Sequence, residues 1–534
     1  MLFSSYIFIF AFMPVALAGF HLMCNFGRRP AAVWLVLASI FFYAWWNPPF
    51  VIMLVASIGF NYTAAEALGA TTTRPRVQNA ILVLAIAANV LALVYFKYLA
   101  SIIDAMTGLG LINLKTPDIV LPLGISFFTF TQIGYLVDIK QSIAKDRGLI
   151  NYILFVTFFP HLIAGPILHN REMMPQFGNE ATYRFSAENL AIGISIFTIG
   201  IAKKCLFADP LSAGVGLGFG AASSMPLFGA WNAALCYSLQ LYFDFSGYSD
   251  MAIGLARMFN VQFPVNFNSP YKAASIIEHW QRWHITLSRY LTLYLYTPIA
   301  MSVTSWRNDR GLGISKTARE TPGGFAAMVA FPTITTMGLA GIWHGAGLQF
   351  LIFGLLHGIY LVGNHLWRIV LPRPQNRAKD SKLTLFAKIF LTYMAVVSAS
   401  VFFRADSVSS ALSIFAGMIG LHGVEAVPLP AGLPRGGLAS LPVHGMTVVV
   451  SLVDFVSQAG HVLWMMCLYG IVFALPNTQQ IMHRFSPVIG RVQPGRLSQL
   501  AWQPSRGWAV TTGIAAAVSI LAIGGTSEFL YFRF

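Results

Sequence analysis

Apolar runs recur along almost the whole chain, separated by short polar breaks. They fall near residues 2–24, 31–46, 50–69, 79–98, 119–139, 149–168, 188–207, 226–243, 285–302, 325–342, 346–366, 384–403, 459–475 and 507–524. About 20 apolar residues in a helix span a bilayer, so the pattern predicts an all-α polytopic membrane protein. Several runs are too short or too polar to cross. The expectation is about 11 to 13 crossings, with the remainder re-entrant or interfacial. No internal repeat or soluble domain interrupts the series, which makes residues 1–534 one membrane domain.

Composition agrees. The 534 residues are 56% hydrophobic and 10% charged, and mean hydropathy is +0.66. A soluble domain would carry about a quarter charged residues. The net charge of +15 sits in the breaks between spans, as the positive-inside rule requires of cytoplasmic loops, and does not form a nucleic-acid surface. Arg28–Arg29 follow the first apolar run instead of preceding it. That order predicts an uncleaved first span with an external N-terminus and puts the Trp45–Phe50 turn outside. The Pro- and Gly-rich, charge-poor stretch near 421–446 reads as an external loop. Four single cysteines lack metal or redox spacing and are expected as buried thiols.

Two histidines stand out. His344 lies in GLAGIWHGAG, midway along an apolar run that has basic clusters on both sides. The run must therefore leave and return, with His344 at its turn. Gly341, Gly345 and Gly347 are expected to let the backbone depart from regular helix beside a protected cavity. His284 lies in HWQRWHITLSRYL, which reads as one amphipathic interfacial helix. On that helix His284 shares the apolar side of Trp280 and Trp283, while Glu278, Arg282 and Arg289 face water. An ionisable group at membrane depth is a functional candidate by default. His161, His169, His279, His357 and His365 read as structural or interfacial.

Other chemistry is not signalled. No HExxH or comparable cluster predicts a metal, and neither a GxSxG elbow nor a phosphate loop occurs. Asp244 and Asp250, in LYFDFSGYSDMAIGLARMFN, read as helix-end caps or partners for Arg257. A neutral imidazole in a dry cavity suits removal of a proton from an attacking hydroxyl. Exclusion of water would protect an activated acyl group, and basic loops would attract a polyanionic acyl donor.

The segments PLGISFFTFTQIGYLVD, FFPHLIAGPILHNREMMPQF, LYFDFSGYSDMAIGLARMFN, NFNSPY, HWQRWHITLSRYL and GLAGIWHGAG, in that order, resemble the membrane-bound O-acyltransferase superfamily. VFFRADSVSSAL and the terminal FLYFRF are similar to its bacterial alginate O-acetyltransferase branch rather than to the shorter D-alanyl transferases. The resemblance implies a catalytic core over 122–366, further spans over 384–534, and a ring of helices around a central cavity or tunnel. It implies that His344 and His284 are the catalytic pair, with Trp343, Trp283, Arg282, Asp244 and Asn266 lining or supporting the substrate path. It also implies acetyl-CoA as donor substrate without a bound cofactor, a bacterial inner-membrane location, a periplasmic acetyltransferase partner and a polysaccharide acceptor.

The expected function is thus O-acetylation of an extracellular or cell-wall polysaccharide. D-alanyl transfer from a carrier-protein thioester is the nearest alternative. A polysaccharide or lipid transporter would show paired repeats and midplane ion-coupling residues, and the sequence has neither.

Overall fold

The computed structural model describes residues 1–144, 146–371, 380–424, 460–495, 497–524 and 530. The expected loop near 421–446 and the basic residues Arg373, Arg377 and Lys379 lie largely or wholly outside them. Among the described residues there is no strand, only an isolated bridge between Pro264 and Ile489. Six helices are long and apolar enough to cross a membrane: Pro49–Ala70, Pro75–Lys97, Ala187–Gly220, Pro322–His344, Leu348–Val370 and Lys382–Arg404. Five shorter apolar helices join them: Phe8–Cys24, Leu99–Gly108, Val408–Met418, Gly460–Ala474 and Arg506–Leu521. The expected eleven to thirteen crossings require the shorter helices as well as the long ones. Pro49 and Pro75 open their helices, at the position where a missing N–H costs nothing.

The centre of the molecule is the helix Leu227–Met258, 32 residues long and buried for most of its length. It packs against Ala187–Ala202 through two glycine pairs. A Cβ on Gly193 would lie 2.6 Å from the Gly254 carbonyl, and one on Gly200 would lie 2.7 Å from the Gly247 carbonyl. In a membrane, where lipid is as apolar as leucine, this close backbone approach is what draws helices together. The same interface buries charge. Lys203 meets Asp250 at 2.6 Å, and Lys204 meets Asp209 at 2.7 Å and Asp244 at 2.8 Å. Asp250 also accepts from Thr478 Oγ1 at 2.6 Å and Gln479 Nε2 at 2.9 Å. The aspartates are therefore interhelix partners of Lys203 and Lys204, and the expected pairing with Arg257 does not occur. Arg257 donates instead to the Phe485 carbonyl.

The run around His344 does leave and return, as a hairpin of Phe331–His344 and Leu348–Val370. Its glycines divide: the backbone leaves the helix at Gly345 and Gly347, as expected, whereas Gly341 has another use. The helix stays regular through His344, and Gly341 and Gly354 instead bring the two helices into contact. A Cβ on Gly354 would stand 2.2 Å from the Met337 carbonyl and 2.9 Å from the Gly341 Cα. The cysteine expectation also holds only in half: Cys205 and Cys236 are buried, Cys24 is half-buried and Cys467 is exposed.

Candidate active site

His284 does not lie on one continuous helix. Ile276–Trp280 is a short helix capped by Ser275, and a second begins at Ile285. Between them the chain breaks, with His284 itself at φ +41° in the left-handed region. The cause is a competing segment. The Asn266 carbonyl accepts from the Ile285 amide at 2.9 Å, and the Asn268 amide donates to the Arg282 carbonyl at 2.9 Å. Such irregular backbone persists where protein surrounds it, and Asn266, His284 and Thr286 are each 1% exposed. The helical-wheel assignment of faces therefore fails here. Strained backbone of this kind costs about 1–3 kcal/mol and is tolerated where surrounding contacts over-determine it.

Those contacts fix the imidazole. Asn266 Oδ1 faces His284 Nδ1 at 3.0 Å and accepts from Thr286 Oγ1 at 2.9 Å, while Asn266 Nδ2 donates to Ser249 Oγ at 3.0 Å. With an acceptor opposite Nδ1, the proton resides there and Nε2 keeps its lone pair. Burial holds the His284 pKa down to about 3, so the ring is a neutral base at physiological pH. Asn266, expected as a lining residue, is thus the group that orients His284.

His344 is the last residue of its helix and packs edge-on against Trp343, with ring centres 4.8 Å apart, and Phe403, at 5.1 Å. It lies within electrostatic reach of Lys97, His284 and His357. Two aromatic walls connect the histidine regions. One runs from Tyr290 to Phe130 at 4.8 Å and from Phe130 to Trp343 at 5.1 Å, both stacked. The other passes from Trp283 to His279 at 5.9 Å, to His357 at 6.4 Å, to Phe353 at 4.8 Å and to His344 at 6.0 Å. Trp280 Nε1 donates to His357 Nδ1 at 3.2 Å. A cavity of about 130 Å³ opens beside His344, bounded by Lys97, Gly124, Ser126, Phe127 and Trp343. The Trp343 indole N–H is buried without an acceptor among the described residues.

The remaining expected residues divide. Trp283 and Trp343 join the aromatic walls. Arg282 is a half-buried brace, bonded to Glu278 at 2.7 Å and to the Asn268 carbonyl at 3.3 Å. Asp244 belongs to the charged interface with Lys204 described above. Arg289, expected to face water, forms a two-pronged pair with Glu172 at 2.8 and 2.6 Å. Lys97, which the sequence reading passed over, borders the cavity, and His279 and His357, read there as structural or interfacial, pack within the second aromatic wall. The available signal for Lys97 was a lone cation ending a 23-residue apolar helix. Among the described residues no group of three or more His, Cys, Asp or Glu side chains could hold a metal.

The site therefore holds two buried imidazoles inside a multi-pass helical protein, and comparison with known proteins gives its class. The membrane-bound O-acyltransferase family (MBOAT) matches residues 79–309. The peptidoglycan O-acetyltransferase of Helicobacter pylori is 39% identical over 457 residues, covering 80% of this chain and 81% of that protein. The probable alginate O-acetylase AlgI of Azotobacter vinelandii is 33% identical over 546 residues, covering 100% of both. The teichoic acid D-alanyltransferase of Bacillus subtilis is 27% identical over 45% of this chain and 58% of its own length. The chain belongs to the membrane-bound O-acyltransferase family, in its alginate O-acetylase-like branch, and is an O-acyltransferase.

Proposed function

We propose that the protein acetylates hydroxyls of an extracellular or cell-wall polysaccharide, drawing the acetyl group from acetyl-CoA on the cytoplasmic side of a bacterial inner membrane. The observation that carries this reading is the pair of buried imidazoles joined by aromatic walls, one of them beside a cavity. Similarity over 80% or more of the chain to acetylases of two different glycans supports the acetyl group and a glycan acceptor. His344 removes the proton as the acceptor oxygen attacks the thioester carbonyl. The C–S bond breaks, and the thiolate leaves and is protonated. His284, held by Asn266, positions the thioester side of the reaction. Such proton transfer contributes about 10²–10⁴-fold, and the dry aromatic lining keeps water from the acyl group. A periplasmic acetyltransferase partner would carry the acetyl group onward where the polymer cannot reach the cavity.

The test is ester-linked acetyl on secreted polysaccharide and on peptidoglycan. It compares a deletion strain, the deletion with wild type, and the deletion with His344→Ala at equal membrane abundance. Acetyl lost on deletion and restored by wild type alone is the expected result. Unchanged acetyl on both polymers would overturn the acetylation reading, and loss of ester-linked D-alanine instead would favour the carrier-protein alternative. Full restoration by His344→Ala would overturn its role as base.

A further inference from the structure

The helix that carries His344 ends inside the protein, and its end is held by one dipeptide from another span. Tyr98 OH donates to the Ile342 carbonyl at 2.8 Å. Lys97 Nζ donates to the Trp343 carbonyl at 2.5 Å and to the His344 carbonyl at 3.1 Å. The last carbonyls of a helix have no intrahelical donor, and together they carry about half a negative charge. A lysine ammonium satisfies both demands at once. Lys97 also lies 5.8 Å from the Trp343 ring centre and borders the cavity beside His344. Among the described residues no carboxylate pairs with it. Its charge is therefore committed to the histidine helix and not to a salt bridge.

We propose that Lys97 is a positioning residue for acyl transfer, clamping the carbonyl end of the Phe331–His344 helix so that the His344 imidazole is held at the cavity. This rests on the functional reading above. A lysine needed only to finish a helix could be replaced by any group that preserves folding. A lysine that positions His344 makes the transfer step depend on a cation at this site, while donor binding does not.

The experiment uses the full chain in detergent or nanodiscs, with rates expressed per folded molecule. For Lys97→Met the expected result is a transfer rate lower by about 30-fold or more, with donor affinity within about two-fold of wild type. Lys97→Arg, which keeps the cation and its donors, should recover most of the rate. Lys97→Met in a His344→Ala background should cost no more than His344→Ala alone. If Lys97→Met does not fold, Lys97→Gln takes its place with the same expectation. A second readout needs no acetyl transfer: carbethoxylation of His344 by diethyl pyrocarbonate, followed by mass spectrometry. Its rate should change several-fold in Lys97→Met while that of His483 does not. Near-wild-type transfer in the neutral variants, a loss confined to donor affinity, or unchanged His344 labelling would each overturn the proposal. A wild type that transfers no acetyl, with altered His344 labelling in Lys97→Met, would refute the functional reading and leave the clamp standing.

Discussion

Asn266→Ala removes three contacts at one buried point: the acceptor for His284 Nδ1, the acceptor for Thr286 Oγ1 and the donor to Ser249 Oγ. Thr286 and Ser249 hydroxyls can rotate toward other partners, but the imidazole N–H has none supplied by the substitution. A buried donor left without its acceptor costs about 1–3 kcal/mol, and the fully buried His284 N–H falls in the upper part of that range. We therefore expect about 2–3 kcal/mol at His284, expressed as a wrong tautomer or a rotated ring. If all of it falls on the transfer step, the rate drops roughly 30- to 150-fold. The assay is transfer of labelled acetyl in membrane vesicles, with abundance and melting temperature measured alongside. The decisive comparison is a double-mutant cycle. Because Asn266 acts through His284, Asn266→Ala in a His284→Ala background should cost less than about three-fold further. Independent, multiplying losses would show that Asn266 serves substrate or fold directly and would refute the orienting role.

Two further outcomes follow from the packing. Gly354→Ala places a methyl group 2.2 Å from the Met337 carbonyl, so the hairpin must part; a loss of about 1–3 kcal/mol is expected as a lower melting temperature, and an unchanged one would contradict the contact. Asp250→Ala leaves Lys203 without its buried carboxylate and should cost about 3–5 kcal/mol. Lys203→Met combined with Asp250→Leu should recover folded protein relative to Asp250→Ala, measured as membrane abundance after detergent extraction.

The fold was legible from apolar run length, because a bilayer imposes one length on every crossing and lipid leaves little use for surface charge. The hairpin around His344 followed from basic residues on both sides of one long run. What misled was local periodicity near His284. A wheel drawn over Ile276 to Leu287 assumes one helix, whereas the carbonyl of Asn266 takes the Ile285 amide and turns the chain at His284. No window around His284 contains that information, since the competing group lies 18 residues earlier. Gly345 and Gly347 supply the expected break in the helix, but Gly341 serves contact with Gly354, a purpose visible only once the partner helix is known. Lys97 escaped notice because its partners are backbone carbonyls, which leave no trace in side-chain motifs. Asp244 was marked as unusual for its depth alone, and depth does not distinguish a substrate site from a charged helix interface.

That interface also imposes an order on how the protein is made. Lys203 and Lys204 emerge from the ribosome about 40 residues before Asp244 and Asp250, whereas Thr478 and Gln479 follow Asp250 by more than 220 residues. At roughly 5–20 residues per second, that second interval lasts about 10–45 s. For that time the two lysines are the charged partners the aspartates have among the described residues, and the neutral hydrogen bonds from Thr478 and Gln479 come later. The short separation of the two segments in sequence thus lets these charges be neutralised early, by pairs that form before the later part of the chain is made.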